Sequence, residues 1–322
     1  VNRNLILELQ KQAEQIWPEL DLLIGWGAGF DELHTTPVFV RNPSEIARLI
    51  WNPFCAQNLS GYLVKAAPVS TGDKNKKIGI CVKGCDSRSL IALIQENLID
   101  RDRLYVIGLP CRGILDLRSL VARCGVSKIM AVQVSGDRVE VENEKGLQQF
   151  LLEDVLMRKC KRCLYPNPVI HDVLIGEPVS PRLEKHEIYA DAARIEQLPL
   201  PERLSFWQEQ LDRCIRCYAC RNACPLCVCQ DRCIAETRDP KWLTQYMGLP
   251  EKFMFHFIHA MHLAGRCTEC GECERVCPME IPVALIKEGL NKITNELLDF
   301  EAGLDPQKVP PLLTFDAGET GI

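Results

Sequence analysis

Residues 214–225, CIRCYACRNACP, and residues 267–278, CTECGECERVCP, carry one pattern twice: C-x2-C-x2-C-x3-C with a proline behind the last cysteine. Three thiolates this close along the chain wrap three corners of an iron-sulfur cubane, and a fourth, set apart, closes the remaining corner. Structural zinc is the alternative. Two zinc ribbons would need only two C-x2-C pairs, which leaves half of these cysteines without a role.

The sequence around the two runs is helical. Glu202 to Cys217, Lys252 to Ala264 and Val283 to Leu298 have helical periodicity and almost no strand pattern intervenes, so residues 201–300 predict an all-α domain wrapped around metal. A proline-rich stretch, 166–200, predicts an extended connector ahead of it. The tail, 301–322, predicts an extended segment. Residues 1–165 differ in character. An amphipathic helix over 1–17 precedes apolar, β-branched runs at Lys77 to Val82, Leu104 to Gly108 and Ile129 to Val134, which read as buried strands. Helical patterns at Ser87 to Asn97 and Ile114 to Arg123 alternate with them, the rhythm of an α/β domain with a mostly parallel sheet. Asp137 to Glu142 alternates polar and apolar residues, which predicts an edge strand. The glycines of GWGAGF (Gly25, Gly27, Gly29) do not fit G-x-G-x-x-G and read as a turn.

The paired runs resemble those of bacterial ferredoxins, in which the fourth cysteine serves the other cluster. That resemblance implies two [4Fe-4S] clusters, one on Cys214, Cys217, Cys220 and Cys277, the other on Cys267, Cys270, Cys273 and Cys224. The helical insertion between the runs resembles the α-helical ferredoxin domain of heterodisulfide reductase C subunits and of succinate dehydrogenase iron-sulfur subunits, over residues 202–300. It implies a wire between redox centres. Within the insertion, Cys227, Cys229 and Cys233 read either as three corners of a fourth cluster, with a ligand such as Cys55 completing it, or as packing thiols.

The N-terminal part has its own thiols. Cys85 follows one strand and Cys111 another, so in a parallel sheet both project from the carboxyl edge, where ligands generally bind. With the pair Cys160 and Cys163 they form a candidate third four-thiolate site, for a [4Fe-4S] cluster or for structural zinc. Cys81 and Cys124 read as core. The stretch VKGCDSRSLIALI (82–94), the turn VIGLPCRG (106–113) and CKRC (160–163) resemble the β-subunits of coenzyme F-420-reducing hydrogenases and formate dehydrogenases, over roughly residues 20–180. The order of parts differs from that family, since the helical ferredoxin is fused at the C-terminal end. The resemblance implies FAD or FMN beside the cluster. Gly84, Ser87, Arg88 and Ser89, at a strand-to-helix turn, offer a phosphate cradle or an ordinary capped helix. His256, His259 and His262 read as residues of a packed helix.

Composition narrows the classes. Eighteen cysteines in 322 residues with no export signal read as ligands rather than a disulfide framework. A net charge of -5, without a basic run interleaved with aromatics, argues against nucleic acid as partner. No apolar run approaches membrane-spanning length. The expectation is a cytoplasmic electron-transfer subunit that relays electrons between other redox subunits of a hetero-oligomeric complex, with ferredoxin or a flavoprotein as possible partners. Two alternatives stand beside it: a flavin-bearing oxidoreductase subunit that serves a soluble two-electron carrier, and a redox sensor or scaffold with structural clusters.

Overall fold

The β-branched runs of the N-terminal half pair into a sheet because their side chains are apolar on both faces, as strands covered on both sides require. The structure, a computed structural model, describes residues 3–65, 76–184, 187–229, 233–235, 243–314 and 318. In chain order its first elements are α1 (Arg3–Ile16), β1 (Leu20–Ala28), β2 (Thr35–Val40), α2 (Gly61–Lys65), β3 (Lys77–Val82), α3 (Gly84–Gln95), β4 (Leu104–Gly108) and α4 (Leu117–Cys124). Then come β5 (Ile129–Ser135), β6 (Arg138–Asn143), β7 (Gly146–Leu151), α5 (Leu152–Val155), α6 (Arg158–Lys161) and β8 (Val173–Leu174). The main sheet runs β2-β1-β3-β4-β8. β1, β3, β4 and β8 are parallel, and β2 pairs antiparallel at the edge.

Three expectations are corrected here. Gly25 and Gly27 lie inside β1 rather than in a turn, because the sheet is crowded there: a Cβ would come within 2.4 Å of Leu49 at Gly25 and 2.5 Å of Val38 at Gly27. β5 is not a strand of the main sheet. It joins β6 and β7 in a separate antiparallel sheet in which only Ile129 of β5 is buried. In that sheet β6, Arg138–Asn143, is the central strand and not an edge, and its alternation puts Val139 and Val141 into a core with Leu120, Leu152 and Val155.

The chain divides into two compact units. The first comprises residues 1–60, 66–87 and 100–188, and the second 61–65, 88–99 and 189–322. The proline-rich stretch is not uniformly extended, for it contains β8 and then α7 (Ala190–Glu196). The second unit continues with α8 (Leu200–Asp212), α9 (Ala219–Ala223), α10 (Leu249–Met261), α11 (Glu272–Arg275) and α12 (Val283–Leu298). α8 and α10 each begin with proline in the first turn, where the missing N–H costs nothing. The α/β sheet and the helical region around the cysteine runs are both present, but the two units interleave along the chain, since 61–65 and 88–99 belong to the second. No helix among the described residues is long and apolar enough to cross a membrane.

Candidate iron-sulfur centres

The two cysteine runs fold into the same loop. In each, the residues on either side of the second cysteine have left-handed backbone: φ is 47° at Arg216 and 60° at Tyr218, 56° at Glu269 and 69° at Gly271. A non-glycine residue held there costs on the order of 1 kcal/mol or more and persists only where its surroundings over-determine it. The turn ends α8 at Asp212, short of the predicted Cys217, and the short helices α9 and α11 start directly behind each loop. Backbone amides are thereby aimed at sulfur. Arg216 N–H donates to Cys214 Sγ at 3.4 Å, and Ile281 N–H donates to Cys277 Sγ at 3.4 Å.

Cys214, Cys217, Cys220 and Cys277 line one small cavity of about 20 Å³ that is partly open to solvent. Its wall is otherwise apolar, with Tyr218, Phe255, Ile281 and Val283 among the lining residues. His256 also reaches it. Its Nε2 lies 3.3 Å from Cys214 Sγ, within hydrogen-bonding distance, and burial together with the Lys287 ammonium pushes its pKa down to about 4, so the ring is neutral.

Of the second candidate set, Cys267, Cys270, Cys273 and Cys224, three show mutual interaction, and Cys273 also interacts with Cys220 of the first. Cys224 lies close enough to Cys273 for their charges to interact, and Cys267 interacts with Cys273 in the same way. The loop that carries them is braced from several sides. Asn291 Nδ2 donates to the Cys267 carbonyl at 2.8 Å and to Glu269 Oε1 at 2.8 Å, Thr268 Oγ1 is 2.8 Å from Ser89 Oγ, and Arg275 makes a two-pronged bond to buried Glu272 at 2.8 Å on each arm. Burial pushes the thiols of Cys220 and Cys267 up to about 12. Buried thiols this reluctant to ionise become thiolates only when a cation takes the proton's place.

In the first unit, β3 and β4 are neighbouring parallel strands, so Cys85 and Cys111 leave adjacent carboxyl ends as expected. The segment after Cys111 is clamped to the segment before Cys160: Leu115 bridges Leu156, and Met157 N–H donates to Ile114 O at 2.9 Å. Gly113 N–H donates to Cys111 Sγ at 3.4 Å and Ile114 N–H to Cys160 Sγ at 3.3 Å. Cys111 feels the charge of Cys160 and of Cys85, and Cys85 feels that of Cys163. Cys85, Cys111, Cys160 and Cys163 thus lie within range of one another's charges, pair by pair. Burial, then Asp86, raises the Cys85 thiol to about 12, against the lowering pull of Lys159 and Lys83.

Among the described residues no three His, Cys, Asp or Glu side chains are drawn tightly enough around one point to hold a single metal ion. A cubane presents its iron at four separate corners, and so takes a wider cage of thiolates than one tetrahedral zinc does.

The remaining candidates stand as follows. Cys227 interacts with Cys224, Cys233 and Cys229, and burial raises its thiol to about 12; Cys229 is exposed. Cys55 belongs to the first unit, where it is fully buried, accepts from Asn52 N–H at 3.4 Å and is raised by burial to about 12. Cys81 and Cys124 are buried core residues. In the candidate phosphate cradle, the side chains of Ser87 and Arg88 have partners within the protein. Ser87 Oγ donates to Gly84 O and accepts from Val169 N–H, each at 2.8 Å, while Arg88 Nη2 donates to Ala302 O at 2.8 Å and pairs with Glu301 at 3.2 Å. Gly84 is needed because a Cβ there would lie 1.7 Å from the Tyr165 carbonyl. These groups are spent on internal packing, with Asp86 accepting from Lys83 N–H at 2.9 Å. His256 and His259 are buried in α10, as a packed helix predicts. Sequence reasoning missed Lys287, though one signal was present: a lysine on the buried stripe Val283, Lys287, Asn291, Thr294 of α12.

A protein family described as 4Fe-4S dicluster domain matches residues 210–281, which span both cysteine runs. The F420-dependent formate dehydrogenase subunit beta of Methanocaldococcus jannaschii is 23% identical over 92% of this chain and 90% of that protein. The F420-dependent formate dehydrogenase 1 subunit beta of Methanococcus maripaludis is 25% identical over 91% and 89%. The chain is a relative of these β-subunits. A shorter likeness, 33% identical over 41% of this chain and 14% of the other, links it to the acetyl-CoA decarbonylase/synthase complex subunit alpha 1 of Methanosarcina mazei. A chain in a structure of the F420-reducing [NiFe] hydrogenase complex of Methanosarcina barkeri overlaps 65% of this chain and 84% of its own length, at a TM-score of 0.39 and 17% identity. The dicluster match spans both cysteine runs, and the likeness to the β-subunits extends over most of the chain.

Proposed function

We propose that the chain relays electrons inside a cytoplasmic multi-subunit dehydrogenase or hydrogenase complex, of the formate-dehydrogenase kind that its relatives' names describe. Cys214, Cys217, Cys220 and Cys277 hold one [4Fe-4S] cluster, Cys267, Cys270, Cys273 and Cys224 a second, and Cys85, Cys111, Cys160 and Cys163 a third. The observation that carries this reading is the cavity that four cysteines from two distant runs line together. Such a cluster, when bound, passes single electrons without any bond being made to the protein. The chain's own residues do the rest: thiolates bind, left-handed loops orient amides toward sulfur, and the apolar wall restricts water, which sets the potential of each centre.

The test is iron and sulfide content of anaerobically purified full-length chain. The paired runs alone predict about 8 iron atoms per chain, the N-terminal set raises this to about 12, and a further centre on Cys227, Cys229 and Cys233 would raise it to about 16. Reversible reduction by a low-potential donor, followed by electron paramagnetic resonance, should return signals from interacting clusters. A colourless, zinc-only protein overturns the reading, and clusters that never cycle leave only the scaffold alternative.

The relatives' dependence on F420 favours a second reading, in which FAD or FMN is bound as well and the chain exchanges a hydride with a deazaflavin. Its site would lie elsewhere than at Gly84 to Ser89, whose groups are already engaged. Flavin absorbance in the purified chain decides it.

A further inference from the structure

α12 presents a cation to both cluster groups of the second unit. Lys287 is 3% exposed, and its buried Nζ lies beside the Cys273 thiol, which acts as its acceptor on that side. Asn291 lies one turn further along the same stripe, and its amide bond to the Cys267 carbonyl at 2.8 Å fixes this face of α12 against the cysteine loop. Lys287 is the strongest charge acting on Cys220, Cys267 and Cys273. The thiols that act on it, strongest first, are Cys273, Cys224, Cys267 and Cys220: three from the second group and one from the first. Carboxylates near the second group pull the other way, Glu269 on Cys267 and Glu274 on Cys273, and on each thiol Lys287 outweighs them.

A buried ammonium among neutral thiols is expensive, and a chain keeps one only where a counter-charge is supplied. Thiolates around iron supply that counter-charge. Four thiolates outnumber the positive charges of the iron-sulfide core, so the cluster is an anion, and it gains one further negative charge on reduction. A fixed cation therefore stabilises the reduced state more than the oxidised one.

We propose that Lys287 tunes the potentials of this electron relay: it holds the cluster on Cys267, Cys270, Cys273 and Cys224 at a higher potential than its neighbour, so that an electron entering the pair settles there first. The inference rests on the cluster assignment above. A buried unit charge beside a cluster, at an effective dielectric constant of about 20, changes the ratio of reduced to oxidised cluster on the order of tenfold, which is about 59 mV for one electron.

The experiment is a potentiometric titration of anaerobically prepared full-length K287M, K287Q and K287R, monitored by electron paramagnetic resonance, with iron and sulfide measured on each sample. With iron retained, K287M and K287Q should need about tenfold stronger reducing conditions to half-reduce the higher-potential cluster, with a smaller change at the other, while K287R stays near wild type. Loss of one cubane in both neutral variants, with full occupancy in K287R, supports the same role for charge. Full iron with unchanged midpoints overturns the proposal and leaves the cluster assignment standing. Loss of iron in K287R as well shows that shape rather than charge matters, and also overturns it. A wild-type chain without iron instead removes the cluster assignment itself.

Discussion

At the scale of single residues, the informative side chains are the fourth cysteines. Cys277 lies in the second run but lines the cavity of the first, and Cys224 lies in the first run but interacts with Cys273 of the second. Removal of a distant ligand should therefore disturb the centre across from it. C277S is expected to alter the same paramagnetic signal as C214S, and C224S the same one as C267S, each with loss of up to about 4 iron atoms per chain. If C277S instead tracks C267S, the crosswise arrangement is wrong. The spacing of the runs made the eight thiols legible without coordinates, because three cysteines within seven residues have few alternatives. His256 was legible only as a helix residue. Its approach to Cys214 depends on how α10 packs, 42 residues further along the chain.

At the scale of elements, α3 shows how far local sequence reasoning reaches. Its helical pattern and its position behind β3 were readable. The use of its arginine was not. Arg88 donates to Ala302 O through Nε at 3.2 Å and Nη2 at 2.8 Å, and pairs with Glu301, in a contact that orders the beginning of the C-terminal tail. Truncation leaves a carbonyl and a carboxylate buried without their donor. R88A should lower stability by about 3 kcal/mol, and E301Q by about 1 kcal/mol, since the amide still offers an acceptor. Urea unfolding of the iron-loaded chain measures both, and an R88A midpoint equal to wild type would sink this account. The β5–β7 sheet teaches the converse. An apolar, β-branched run looks like a central strand by composition alone, but β5 faces solvent along most of its length and pairs only with β6, at the edge of the small sheet.

At the scale of the whole molecule, buried titratable groups make stability depend on pH. Burial, followed by the charges of Lys287, His256 and Arg221, holds the His259 pKa well below its ordinary 6.5. Neither ring nitrogen has a hydrogen-bond partner, and Phe255 stacks on the ring at 5.9 Å. The folded state therefore refuses a proton that the unfolded chain accepts below pH 6.5. Stability from this group is complete above that pH and falls as pH drops through it toward the lower folded value. By pH 5.5 the loss from His259 is about 1 kcal/mol. H259L should flatten this part of the profile between pH 7.5 and 5.5, as read from denaturant midpoints at each pH. An unaltered slope would show that the ring is not the group responsible.

What the chain determines by itself is set by covalent proximity. Thiols a few residues apart must share a loop, so the cluster chemistry, the helical surroundings and the α/β rhythm ahead of them are all written locally. What only tertiary structure decided is set by packing between distant segments: which run's fourth cysteine enters which cavity, which sheet β5 joins, whether Arg88 meets a ligand or the tail, and where Lys287 points. Those choices depend on which surfaces exclude water together. A one-dimensional pattern records that a residue is buried, but not against what.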